Sequence, residues 1–184
     1  MEITKKETVF EGEHLRFVNK HFKTGGRSEG IWETIERRNI YNNGAVVIVA
    51  LTRERELILE RNWRAALESF VIQLPAGLCD KEGESEEEAA RRELLEETGY
   101  RAEKLISVIT TPICPVLTST RATHFFAPEV EFVGQESKDI SEEIEVLKVP
   151  LGKLDDFLLN LPQDTELDLR VLGILSILKS QKLL

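Results

Sequence analysis

The chain has 184 residues, 41% apolar and 31% charged, which suits one large domain or one domain carrying a small extra module and excludes a disordered or fibrous chain. Its 24 Lys and Arg stand against 33 Asp and Glu, a net charge of −9, which excludes a bulk electrostatic grip on nucleic acid. Apolar runs fall far short of the roughly twenty residues a membrane helix requires, and charges early in the chain leave no signal-peptide core, so a cytoplasmic protein away from membranes is expected.

The first 43 residues read as strands over 8–10, 15–22 and 30–38. The loop Thr24-Gly25-Gly26-Arg27-Ser28 supplies hairpin chemistry between the last two. Asn42-Asn43-Gly44 is a further turn signal, and it divides a small N-terminal β module, 1–43, from a main domain, 44–184. So short a β module buries little alone, and it is expected to pack on the main domain or on a second copy of the chain. The β-branched run 45–51 then reads as a buried strand. Strands follow over 56–61 and 70–74, a helix over 85–98, and strands over 104–111, 123–132 and 144–149. Two closing helices are expected over 151–159 and 166–179, the second from Leu169, Leu172, Leu175 and Leu178 at helical spacing. This mixture predicts an α/β/α sandwich. Cys79 and Cys114 form neither a disulfide framework nor a C-x-x-C pair, and His14, His21 and His124 lack zinc-site spacing.

The informative segment is the helix over 85–98. Residues 82–97 hold eight Glu and two Arg, a net of −6 and two thirds of the chain's acidic excess. Ser85 with Glu88 three places on is a capping box, and Gly99 stands where a left-handed cap would stop the helix. Glu93 and Glu97 lie one turn apart on one face with Glu96 beside them, Arg92 reaches Glu96 at i+4, and Ala90 and Leu94 form an apolar stripe. Converging carboxylates repel, and a divalent cation is the usual remedy. Oxygen-only ligands select Mg²⁺ or Mn²⁺ over Zn²⁺. The chemistry inferred is metal-assisted attack of water on a phosphate; the alternative is a solvated Glu-rich face.

From Glu84 through Arg92, Glu93, Leu94, Glu96, Glu97, Gly99 and Tyr100 the segment resembles the signature of the Nudix hydrolases. It departs only at the front, where six residues rather than the family's five separate Gly77 from Glu84. The resemblance implies an α/β fold, the Nudix α/β/α sandwich with a small N-terminal antiparallel β module, and hydrolysis of a nucleoside diphosphate linked to another moiety. It implies Glu93 and Glu97 as the main metal ligands, Glu96 as a third ligand or base-side partner, and the carbonyl of Ala76 as a backbone ligand. Arg92 would orient the carboxylates, with Glu84 paired to it.

Flanking residues resemble the ADP-ribose and nucleotide-sugar pyrophosphatase branch over nearly the whole chain. Arg61-Asn62-Trp63-Arg64, ahead of Gln73-Leu74-Pro75-Ala76-Gly77, looks like that branch's basic-aromatic element and implies Arg64 on a substrate phosphate. Pro115, sixteen residues beyond Gly99, stands where those enzymes carry a proline. Trp32-Glu33 resembles their N-terminal strand, which implies that Trp32 stacks on the adenine, that Arg37 is a second phosphate contact, and that strands swap across a homodimer. Where some relatives place a second aromatic, this chain has His14. The Gly and Glu of the loop after the proline are replaced by Val116 and Thr120, so the base must come from elsewhere, and Glu142 of the pair Glu142-Glu143 is taken for it.

The expected reaction is therefore hydrolysis of ADP-ribose to AMP and ribose 5-phosphate with Mg²⁺ or Mn²⁺, with Glu142, Glu96 and Arg92 as the catalytic set. Another nucleoside diphosphate sugar, an ADP- or GDP-hexose, is the rival substrate. A non-catalytic nucleotide-sugar sensor is the rival outside enzymes, and mRNA decapping is set aside for want of a basic stripe.

Overall fold

A computed structural model describes residues 1–26, 28–134 and 143–184. β1 (Glu2–Glu11), β2 (Leu15–Thr24) and β3 (Ser28–Arg37) form a three-stranded antiparallel sheet in that order. Gly25 and Gly26 turn β2 into β3 at φ 49° and 75°, backbone conformations that a residue without Cβ adopts freely. Every residue of β1 is exposed, including Ile3, Val9 and Phe10. β3 is anchored to the remainder of the chain near Leu117, whose carbonyl accepts from the Ile35 N–H at 2.9 Å.

The second sheet is mixed and nine-stranded. It comprises β4 (Gly44–Thr52), β5 (Glu56–Arg64), β6 (Ser69–Gln73), β7 (Ala76–Leu78), β8 (Tyr100–Ala102), β9 (Ile106–Pro112), β10 (Arg121–Phe132), β11 (Ile144–Pro150) and β12 (Thr165–Leu167). Its main path runs β12-β6-β5-β4-β10-β8, with β11 on β5, β7 on β4 and β9 on β10. Only β4–β10 and β6–β12 are parallel among these described pairings. Three helical elements follow: α1 (Glu86–Thr98), α2 (Leu154–Leu159), entered through a 3₁₀ turn at Leu151–Lys153, and α3 (Arg170–Ser180).

β4 shows why this is a layered sandwich. All nine of its residues are buried, as a continuous apolar run requires. Alternation sends Ala45, Val47, Val49 and Leu51 into the core with α2 and α3, and Val46, Ile48 and Ala50 into the core with Ala89, Ala90 and Leu94 of α1. Each fully buried Val or Ile contributes about 1.5–3 kcal/mol of transfer free energy, so this strand alone commits the chain to both layers. β4 and β5 pair only at Leu51–Leu57, beside their hairpin turn. Beyond it β7 takes the place of β5 against Ala45–Val47, which lays Ala76-Gly77-Leu78 beneath α1.

The sandwich and its N-terminal antiparallel sheet agree with the sequence reading. β7, β8 and β12 escaped it because three residues are too few to show a period. The last helix is corrected. Residues 165–167 pair in parallel with Phe70–Ile72, and the helix begins at Arg170, not at 166. Its buried face is Val171, Ile174, Leu175 and Leu178, whereas Leu169 and Leu172 are exposed at 71% and 43%. The all-leucine stripe misled because Val171 and Ile174, β-branched residues between the leucines, carry half of the contact face.

Candidate active site

α1 starts as its sequence dictates. Ser85 accepts from the Glu88 N–H at 3.2 Å, and the Glu88 carboxylate takes the Ser85 N–H at 2.8 Å, a reciprocal capping box. Gly99 ends the helix at φ 74°, with its N–H on the Leu95 carbonyl. Between these caps one face presents Glu93 and Glu97 to Ala76-Gly77. The fit is tight: a Cβ built on Gly77 would lie 1.8 Å from the Glu93 carboxyl carbon and 2.2 Å from its Oε1. Only glycine lets the carboxylate lie there.

Arg92 organises the near side. Its Nε and Nη2 each donate to one oxygen of Glu84 at 2.9 Å, a two-pronged bridge. Nη1 donates to Glu93 at 2.7 Å and to Glu96 at 3.2 Å, and Nη2 reaches the Leu78 carbonyl at 3.1 Å. Glu84, bound to this guanidinium, has its pKa held below the ordinary carboxylate range. A depressed carboxyl pKa stabilises the fold above its unfolded value, and that contribution disappears as pH falls through the folded value. Glu84→Gln is therefore expected to lower stability by roughly 1–3 kcal/mol at neutral pH. Thermal unfolding of both proteins from pH 7 to pH 3 checks this (about the range of carboxyl titration): the gap should close on acidification.

The far side is electrostatically unfinished. Burial raises the pKa of Glu93, and the Arg92 bond only partly offsets the effect. Glu97 accepts the Ala76 N–H at 2.9 Å, yet its pKa is raised well above the ordinary range, first by burial and then by the carboxyl of Glu60 against it. Glu60 is fully buried on β5. Among the described residues no three acidic, His or Cys side chains converge as a finished cage: Glu93 and Glu96 turn to Arg92, and Glu97 to the backbone. Buried carboxylates set against one another nevertheless fit a hard divalent cation, which oxygen ligands favour and which would draw them inward.

Further groups arrive from other elements. Arg64, at the end of β5, donates through Nε and Nη2 to Gln73 Oε1 at 2.9 and 2.6 Å. Gln73 in turn donates from Nε2 to Glu60 at 3.1 Å. Trp32 is on β3, 47% exposed, with its ring N–H on the Val116 carbonyl at 3.0 Å. It lines an open groove of ≈ 260 Å³ with Phe22, Thr34, Pro115, Thr118 and Ser119. Trp32 and Pro115 are thus brought together, but on the N-terminal sheet and its docking loop, not on α1. Arg37 is exposed and, given the unbroken β2–β3 register, emerges from the face opposite Trp32. Thr120 is buried and shares a 3.0 Å hydroxyl contact with Thr118, so it packs the loop. Glu142 lies outside the described residues; the Glu143 carbonyl accepts from the Trp63 N–H at 3.3 Å.

The sequence reading passed over Glu60 and Gln73. A signal existed: Glu60 follows Leu57-Ile58-Leu59 in a strand, and it shares the parity of Ile58, which faces the core beneath α1. A carboxylate at such a position carries a desolvation cost that marks it for attention.

Residues 42–170 match the NUDIX domain, a stretch that contains α1, Gly77 and Arg64. The chain is 35% identical over 149 residues to the ADP-ribose pyrophosphatase of Bacillus subtilis (strain 168), covering 79% of this chain and 76% of that protein. It is 30% identical over 131 residues to the GDP-mannose pyrophosphatase of Cronobacter sakazakii (strain ATCC BAA-894), covering 64% and 65%. Among solved structures, the crystal structure of an ADP compounds hydrolase superposes with a TM-score of 0.79 at 26% identity, over 98% of this chain and 95% of that one. Fold, acidic helix and sequence likeness coincide over the same residues, and the chain belongs to the Nudix hydrolase family.

Proposed function

We propose that the chain is a Mg²⁺- or Mn²⁺-dependent pyrophosphatase that splits ADP-ribose into AMP and ribose 5-phosphate. The observation that carries the chemistry is the pair Glu93, largely buried, and Glu97, buried, packed against the Ala76-Gly77 turn with both carboxyl pKa values raised, an arrangement that disfavours two bare negative charges and that a divalent cation would relieve. The substrate rests on likeness to the B. subtilis ADP-ribose pyrophosphatase.

In this reading Glu93, Glu97 and the Ala76 carbonyl hold the cation, with Glu96 as a third carboxylate. A divalent cation there supplies charge neutralisation at the diphosphate and a more acidic water. Arg92 keeps Glu93 and Glu96 oriented through its bonds to both, itself fixed by Glu84. Arg64 and Arg37 bind the phosphates and offset charge that develops on them. Water oxygen bonds to one phosphorus, the bridging P–O bond breaks, and the proton passes to Glu142. Trp32 stacks on the base beside Pro115. Trp32 and Arg37 leave opposite faces of the sheet, so both meet one nucleotide only around the sheet's end, where Arg37 is the last strand residue. The exposed apolar residues of β1, Ile3, Val9 and Phe10, support a homodimer in which swapped N-terminal strands bring Trp32 to the partner's acidic helix. The free thiols Cys79 and Cys114 accord with a cytoplasmic enzyme.

Trp32→Ala is expected to raise KM for ADP-ribose by about 5–100-fold with a smaller change in kcat, since base stacking is worth about 1–3 kcal/mol and lies far from the bond broken. Steady-state kinetics checks it; an unchanged KM removes Trp32 from the base site.

A second reading, a GDP- or ADP-hexose as substrate, is favoured by the match to GDP-mannose pyrophosphatase and by Thr120, which packs the loop where the ADP-ribose enzymes carry Glu. Phosphatase-coupled phosphate release from a panel of nucleoside diphosphate sugars decides between them. ADP-ribose well ahead is the expected result, and a hexose conjugate ahead would transfer the assignment.

A further inference from the structure

Two buried polar groups, Glu60 and Gln73, and the half-buried Arg64 form a single path. Glu60 and Arg64 leave β5 on the face shared with Ile58, and Gln73 stands directly opposite Glu60 across the β5–β6 ladder. Gln73 is only 4% exposed and both ends of its amide are used. The oxygen takes two N–H groups of Arg64, and the nitrogen donates one of its two hydrogens to Glu60, which lies against Glu97.

We propose that Gln73 is a positioning residue that ties the phosphate-binding Arg64 to the cation carboxylate Glu97 through Glu60. This rests on the functional reading above, in which Arg64 meets phosphate and Glu97 meets the cation. The chemistry of the link is particular to an amide. Its acceptor end matches a guanidinium and its donor end matches a carboxylate, so each contact fixes the orientation of the other. A carboxylate at position 73 would hold Arg64 but repel Glu60. An apolar residue would hold neither. Because the Nε–Nη2 edge of Arg64 is committed to Gln73, the plane of its guanidinium is set before substrate arrives, and the Gln73–Glu60 bond links it to the carboxyl beside Glu97. A diphosphate must reach both the guanidinium and the cation. Setting their separation in the folded protein removes a reorganisation step from binding.

The test compares wild type, Gln73→Met, Gln73→Glu and the exchange Glu60→Gln/Gln73→Glu, each verified as folded by circular dichroism. Two readouts are used: KM and kcat for ADP-ribose, and the dissociation constant of its α,β-methylene analogue with Ca²⁺ by calorimetry. Gln73→Met is expected to raise both KM and the analogue's dissociation constant at least about fivefold, with kcat falling less than KM rises. Gln73→Glu should weaken analogue binding likewise through repulsion at Glu60. The exchange restores an acceptor for Arg64 and a donor between positions 60 and 73, and should return the dissociation constant to within about twofold of wild type. A purely structural role would shift the melting temperature and leave analogue binding of the folded variants unchanged.

Folded Gln73→Met that binds the analogue within about twofold of wild type overturns the inference. If Gln73→Met does not fold, the exchange decides: restored binding beside weakened Gln73→Glu supports the link, and failure of the folded exchange to restore it contradicts it. Arg64→Ala separates the two levels. If it leaves analogue binding intact, the phosphate role of Arg64 fails first. If it weakens binding while Gln73→Met does not, only the link through Gln73 fails.

Discussion

Glu97→Gln is expected to lower kcat for ADP-ribose roughly 10²–10⁴-fold while leaving a folded, somewhat more stable protein. The amide keeps the volume of the side chain and can still accept the Ala76 N–H that Glu97 accepts at 2.9 Å. What it loses is the charge that a divalent cation requires. What it gains is relief, because Glu97 is buried against the carboxyl of Glu60. The sign follows from linkage. A carboxyl whose folded pKa is raised keeps its proton in the native state, so the native wild type loses stability as pH rises above the ordinary carboxylate value. In EDTA the variant should therefore melt close to wild type near pH 4, about the ordinary carboxylate pKa, and above it at neutral pH. Calorimetric melting across that range, beside steady-state kinetics with Mg²⁺, checks both halves. Undiminished turnover would remove Glu97 from the cation site.

Gly77→Ala should be nearly as damaging, by a different route. The added methyl has nowhere to go: it would overlap the Glu93 carboxyl group, with the nearest atoms at 1.8, 2.2 and 2.3 Å. Either Glu93 swings away from the Ala76-Gly77 turn, or β7 moves off β4, where Gly77 pairs with Val46. Overpacking of this kind costs about 1–3 kcal/mol of stability. Since the displaced group is the carboxylate proposed to hold the cation, the larger effect is functional. Mn²⁺ binding followed by electron paramagnetic resonance should weaken by at least about tenfold, and kcat should fall with it. A folded Gly77→Ala protein with native Mn²⁺ affinity would show that Glu93 need not lie against this turn.

Much of this architecture could be read from residue order, for identifiable reasons. β4 and α1 announce themselves because a continuous β-branched run and a capped acidic helix are local patterns that tertiary contacts then reinforce. Ser85, Glu88 and Gly99 mark both ends of α1 to the residue. The carboxylate face was legible because i and i+4 share a side of any helix. The elements that went unseen are those defined by a partner. β7, β8 and β12 exist as strands because β4, β10 and β6 lie beside them, and nothing within three residues encodes that. The site divides in the same way. Glu93, Glu96, Glu97 and Arg92 sit on one helix and share a spacing. Glu60 and Gln73 belong to different strands and become partners only through the β5–β6 register. Trp32 and Pro115, 83 positions apart, meet because β3 docks on the loop that carries Val116 and Leu117.

The most direct measurement is ADP-ribose hydrolysis by protein stripped with EDTA and then titrated with Mg²⁺, with AMP and ribose 5-phosphate both quantified. The account predicts no turnover in EDTA, recovery with the cation, and the two products in equal amounts. AMP formation at an undiminished rate in EDTA would contradict it, as would a protein that binds Mg²⁺ and leaves the diphosphate intact.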